Sequence, residues 1–143
     1  MQVANIMTRD PEVITSQFLL KDAALKMQQL DVGMLPVRDG DRLVGMLTDR
    51  DITTRATAEG RDPTKTQVSE VMTPEVVYCF EDQDVAEVAK LMQEKQIRRL
   101  PILNRDKKLV GIVSLGDVAV HAREEKIVSE TIKEVSEPAE PKR

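Results

Sequence analysis

The sequence predicts an α/β (α+β) protein made of two β-α-β-β-α units packed face to face as one module. Two observations carry this expectation. One phrase is written twice: Leu43-Val44-Gly45-Met46-Leu47-Thr48-Asp49-Arg50-Asp51-Ile52 returns as Leu109-Val110-Gly111-Ile112-Val113-Ser114-Leu115-Gly116-Asp117-Val118. Around it the matches stay in register, Val3 to Thr8 with Val68 to Thr73, Met27 with Met92, and Leu35-Pro36-Val37 with Leu100-Pro101-Ile102. A repeat of about 60 residues buries too little surface by itself, so the two copies are expected to fold as one body.

Residues 1–60 are read as the first copy, 61–67 as a polar linker, 68–123 as the second copy, and 124–143 as a C-terminal helical extension with a disordered tail. In the first copy Val13-Ile14-Thr15 is a short β-favouring run. Leu20, Ala23, Ala24, Met27 and Leu30 then share one face of a helix that Gly33 ends. Met34 to Arg38 reads as a buried strand whose Pro36 sits where no ladder donor is needed. Asp39-Gly40-Asp41 turns the chain into a strand from Leu43 to Leu47, and Asp49 and Asp51 open a helix towards Glu59. The second copy repeats the order: a strand at Val76 to Cys79, a helix from Asp84 to Gln96, strands Arg99 to Leu103 and Leu109 to Val113, and a helix from Leu115. Val85, Val88, Ala89 and Met92 make the buried stripe of its first helix. Val128, Ile132 and Val135 keep helical spacing past the repeat, and the tail from Glu137, with Pro138 and Pro141, reads as disordered.

Composition narrows the function. Hydrophobic residues make up 41 % of the 143, aromatics only 2 %, and tryptophan is absent. The core is therefore aliphatic, with Met as filler, and the stacking platforms of single-strand nucleic-acid binders are missing. A net charge of −4 and a pI near 5.1 leave no basic footprint for a nucleic-acid backbone. No apolar run is long enough to span a membrane and no signal-peptide core is present, which points to a cytoplasmic protein with no membrane partner. No P-loop, nucleophile elbow or second histidine beside His121 supplies a catalytic set, so no catalytic residue is expected.

The repeated phrase has two readings. As plain structure it is a core strand feeding a helix capped by Thr48 or Ser114, with aspartate in the first turn. As a site, its glycine admits another backbone or a flat ligand. Its hydroxyl and free N–H groups hold phosphate, and its aspartate accepts hydrogen bonds from a ribose diol.

Tandem Met-Thr, a short strand, Leu-Pro-Val and Leu-Pro-Ile, and Gly-x-x-Thr/Ser-x-x-Asp over residues 3 to 123 resemble a CBS domain pair, or Bateman module. Leu47 to Ile52 with Arg55-Ala56, Gly60 and Asp62-Pro63 are similar to the hypoxic response protein subgroup of stand-alone pairs. The resemblance implies a regulatory module that binds AMP, ADP, ATP or S-adenosylmethionine between the repeats, requires no cofactor, and signals to a protein partner. One implied site joins Thr48 and Asp51 to Thr73, Val76 and the segment Ile97-Arg98-Arg99-Leu100-Pro101. The other joins Ser114 and Asp117 to Thr8, Val13 and Met34-Leu35-Pro36. Because a guanidinium fork suits phosphate, Arg98 and Arg99, with Arg50 nearby, make the Asp51 site the expected phosphate site. The Asp117 site is then weak, empty or selective for an uncharged adenosyl group. The plain alternative for Arg98-Arg99 is an exposed pair bridging to Asp106 or Glu94.

Cys79 and His121 are the only soft metal ligands, too few for a zinc site outside a dimer; they read as a buried small hydrophobe and a helix-surface histidine, and no metal site is assigned. The resemblance also implies a homodimer. The rival function is a structural or interaction dimer without nucleotide, acting as a stress-response adaptor.

Overall fold

In the computed structural model the described residues are 1–136, with side chains described through Lys126. The strand β1 (Thr8–Arg9) precedes α1 (Leu20–Leu30) and the hairpin β2 (Met34–Asp39) and β3 (Arg42–Thr48). A single α turn, α2 (Asp49–Asp51), then runs directly into a π-helical stretch, Ile52–Thr57. The second copy gives β4 (Cys79–Phe80), α3 (Val85–Lys95), β5 (Arg99–Leu103), β6 (Leu109–Ser114) and α4 (Leu115–Ser136). The expected α/β architecture is therefore present. Val128, Ile132 and Val135 lie beyond the described side chains, and the tail from Glu137 lies outside the described residues.

The copies exchange their leading segments. β1 pairs antiparallel with β6, Thr8 facing Ile112, in a sheet ordered β1-β6-β5-β4. At the matching place Thr73 bridges Met46 of β3, with Met46 N–H to Thr73 O and Thr73 N–H to Met46 O both 2.9 Å. The cores follow the exchange. Val3 and Met7 are buried with Val88, Met92, Leu100, Ile102 and Val113, whereas Val68 and Val71 are buried with Ile14, Leu20, Leu35, Val37 and Leu47.

Several local expectations are corrected. The run Val13-Ile14-Thr15 makes one rung, a parallel bridge from Ile14 to Val37, because Ser16 turns away to donate its N–H and Oγ–H to Asp39. The strand expected at Val76 to Cys79 begins only at Cys79, where β4 pairs parallel with β5. Asp31, not Gly33, ends α1: it takes the left-handed conformation (φ 55°), and its N–H returns to Gln28 O and Met27 O. A short polar side chain tolerates that conformation better than most. Ala24 is exposed and Leu30 is 38 % exposed, so the buried face of α1 is Leu20, Ala23 and Met27.

Residues 61–67 are exposed except Thr66, but their backbone serves α1. Leu19 has no side chain to cap α1, and the N–H groups of Leu20 and Lys21 instead donate to Thr66 O (2.9 Å) and Pro63 O (3.1 Å).

Candidate functional site

Gly45 and Gly111 are explained by the exchange. A Cβ on Gly45 would lie 2.6 Å from Met72 Sδ and 3.0 Å from Thr73 O; on Gly111 it would lie 2.5 Å from Met7 Sδ and 2.9 Å from Thr8 O. Of the two visitors the glycine could admit, the observed one is the incoming Met-Thr backbone. Each phrase is thus where one copy's strand receives the other copy's leader.

The hydroxyl and the aspartate cap each other. Asp51 N–H donates to Thr48 Oγ1 (3.0 Å) and Thr48 N–H to Asp51 Oδ2 (3.0 Å). Ser114 and Asp117 repeat the pair at 3.0 and 2.9 Å. This is the reciprocal capping box, and it uses one carboxylate oxygen of each aspartate. Because each hydroxyl oxygen accepts from an N–H, its own proton is left to donate elsewhere. Asp51 is 9 % exposed, and its Oδ1 lies 3.8 Å from Arg55 Nε.

Arg55, which sequence reasoning did not place in a site, ties this corner together. Its Nη1 donates to Val71 O (3.1 Å) and Thr73 Oγ1 (3.2 Å), with Met72 O at 3.4 Å. Thr48, Asp51, Arg55 and Thr73 therefore form one connected group. The legible signal was the spacing, four residues beyond Asp51 on a helix; the unreadable part was the strand exchange that brings Thr73 within reach.

The remaining candidates are less connected. Val76 and Val13 are half-buried, and Val13 O accepts from Lys26 Nζ at 3.2 Å. Thr8 is exposed on β1 and faces Ile112, two positions before Ser114 on β6. Register sets Met34 opposite Thr48, and Arg99 opposite Ser114. Arg98 O accepts from Leu115 N–H (2.7 Å), and Arg98 rims a groove of about 540 Å³ with Ile97 and Leu115. Arg50, Arg98 and Arg99 are exposed. Neither Arg98 nor Arg99 makes a side-chain hydrogen bond or ion pair with a described residue, and Glu94 pairs with Lys90 instead. No described contact joins the Arg98-Arg99 pair to Thr48 or Asp51.

Cys79 is buried, 2 % exposed, and burial together with the charge of Glu87 pushes its thiol up to about 11. His121 Nε2 lies 3.6 Å from Glu125 Oε2. Among the described residues no group of three or more His, Cys, Asp or Glu converges, and no helix is long and apolar enough to cross a membrane.

Two copies of one β-α-β-β-α unit, each receiving the other's leader at a capped Gly-x-x-Thr/Ser-x-x-Asp turn, define a tandem-repeat module. The chain belongs to the CBS domain family, which matches residues 3–57 and 68–124. It is 44 % identical over 119 residues to the CBS domain-containing protein YhcV of Bacillus subtilis, spanning 83 % of this chain and 84 % of that one. Hypoxic response protein 1 of Mycobacterium tuberculosis is 40 % identical over 110 residues, 76 % of each chain. A crystal structure of hypoxic response protein I with two coordinated zinc ions superposes at TM-score 0.77 with 35 % identity, covering 85 % of this chain and 98 % of that one. CBSX2, solved in complex with AMP, superposes at 0.76 with 28 % identity over 87 % and 98 %.

Proposed function

We propose that the chain is a regulatory module that binds an adenosine compound at its two capped turns and passes the effect to a protein partner. The carrying observation is that each aspartate spends one oxygen on its cap and that Asp51 Oδ1 is linked through Arg55 to Thr73 of the other copy. A carboxylate oxygen with acceptor capacity left over is suited to a ribose diol. CBSX2 holding AMP supports the ligand class. Arg98 and Arg99, exposed and without a described carboxylate partner, are the reserve of charge for a phosphate, with Arg50 on the adjacent turn. Assigning phosphate to the Asp51 site requires these arginines to reach it from β5, where Arg99 stands opposite Ser114, and leaves Asp117 as a weaker site or one for an uncharged adenosyl group.

The role is regulatory rather than catalytic, in the cytoplasm. A homodimer is supported by Leu25 and Leu30 on α1 and Leu115 and Val120 on α4, all large apolar residues left 38–48 % exposed.

Calorimetric titration with AMP, ATP and S-adenosylmethionine tests the reading, with Asp51→Ala, Asp117→Ala and Arg99→Ala alongside. Phosphorylated ligands are expected to lose about tenfold or more in affinity with Asp51→Ala and Arg99→Ala, and less with Asp117→Ala. Equal losses in the two aspartate variants overturn the asymmetry. Silence of the wild type towards all three ligands transfers the function to a nucleotide-free interaction dimer.

A further inference from the structure

The two capped turns are alike in their hydrogen bonds and unlike one helical turn later. Four residues beyond Asp51 stands Arg55; four residues beyond Asp117 stands His121. Arg55 reaches across to the segment exchanged from the other copy, taking Val71 O, Thr73 Oγ1 and, at the limit, Met72 O on one amino group while its Nε faces Asp51 Oδ1. His121 engages Glu125 on its own helix, and no described side-chain hydrogen bond ties it to Ile6, Met7 or Thr8, the matching residues.

We propose that Arg55 is a positioning residue that assembles the Asp51 site in advance of ligand, by holding together two segments that belong to different copies. Three consequences follow from its bonds. Thr73 Oγ1 accepts from a guanidinium, so the Thr73 O–H is left to donate elsewhere. The guanidinium Nε stands 3.8 Å from Asp51 Oδ1, so the carboxylate oxygen that the cap leaves over has a cation beside it. The walls of the site cannot part without breaking charge-assisted bonds to backbone carbonyls. A site held ready loses less ordering free energy on binding than one that must close. The Asp117 site, with a histidine in the corresponding place, has no such tie. The chemical difference between the two sites therefore includes their rigidity as well as the arginines that flank them.

This rests on the adenosine reading of the site, and the test keeps the two apart. AMP affinity is measured by calorimetry in Asp117→Ala, where only the first site reports, with and without Arg55→Gln and Arg55→Lys. In parallel, Asp51→Ala isolates the second site, with and without His121→Arg. Circular dichroism confirms that each full-length variant is folded.

Arg55→Gln is expected to weaken the first site about tenfold or more, the scale of a lost charge-assisted bond. Arg55→Lys restores part of this by keeping charge without the fork. His121→Arg places a guanidinium four residues beyond Asp117 and is expected to tighten the second site. A first-site affinity within about twofold of the parent in Arg55→Gln, or an unchanged second site in His121→Arg, overturns the proposal and leaves the adenosine reading standing. A wild type that binds no AMP overturns both.

Discussion

At Cys79 the surroundings decide the chemistry of a side chain whose intrinsic reactivity is high. The thiol sits among Val3, Met7, Leu100 and Ile102, where a thiolate would lose its hydration with no cation to replace it. The folded group keeps its proton up to about 11, against an ordinary value of 9.0. The unfolded chain therefore sheds a proton from about pH 9 that the native state still holds. Unfolding is favoured as pH rises through that window, because the native state then binds more protons. Urea midpoints measured at pH 8 and pH 10 are expected to fall for the wild type, and Cys79→Ala should lack that part of the slope. The same burial makes the thiol a poor nucleophile, so a colourless disulfide reagent should label it only on unfolding. Cysteine as a small core hydrophobe was legible from its apolar neighbours. Thr48 with Asp51, and Ser114 with Asp117, were legible as caps because a capping box is local, three residues from end to end. Arg55 was not, because its acceptors Val71 and Thr73 lie 16 and 18 residues further on and reach it only through the strand exchange.

Helix ends and irregular turns separate what periodicity can read from what it cannot. The apolar stripes located α1 and α3, yet both helices stop on residues that are not glycine: Asp31 and Gln96 take φ of 55° and 54°. A glutamine there carries a steric cost of about 1 kcal/mol or more that glycine escapes. Gln96→Gly is accordingly expected to raise stability by about 1 kcal/mol in chemical denaturation, with an unchanged denaturant slope; destabilisation would show that the Gln96 side chain has a compensating contact. The two helices after the repeated phrase illustrate the same limit. Ile52 to Thr57 is π-helical, with Ala58 N–H bonded five residues back to Thr53 O, and Thr53 and Thr54 return their hydroxyls to Asp49 O and Arg50 O. Hydroxyl back-bonding of this kind loosens the regular ladder. The second copy has Leu115-Gly116-Asp117-Val118-Ala119-Val120 in that place and builds the regular α4. One phrase therefore opens two different helices, because the residues after it differ.

Across the whole molecule, stability is shared because each copy finishes the other's core. Val3 and Val68 are both 0 % exposed, and each is buried in the cluster of the opposite copy. Val3→Ala and Val68→Ala should each lower stability by about 2 kcal/mol through lost transfer energy and the cavity left behind. In both variants, methyl resonances of Leu47 in one core and Val113 in the other are expected to melt at one shared midpoint. Two separate midpoints would mean that the copies unfold independently. The repeat itself announced that two units existed and that neither was large enough alone. Which segment completes which core was hidden, since Val3-Ala4-Asn5-Ile6-Met7 and Val68-Ser69-Glu70-Val71-Met72 are too alike to declare an address.

The exchange also sets an order of events during synthesis. Val3 to Arg9 leave the ribosome before the surface that receives them, the loop before α3 and then β6. The helix α1 meets its caps, Pro63 and Thr66, only when the middle of the chain has emerged. A nascent chain must carry that segment unhoused until β6, about a hundred residues later, has emerged to pair with it.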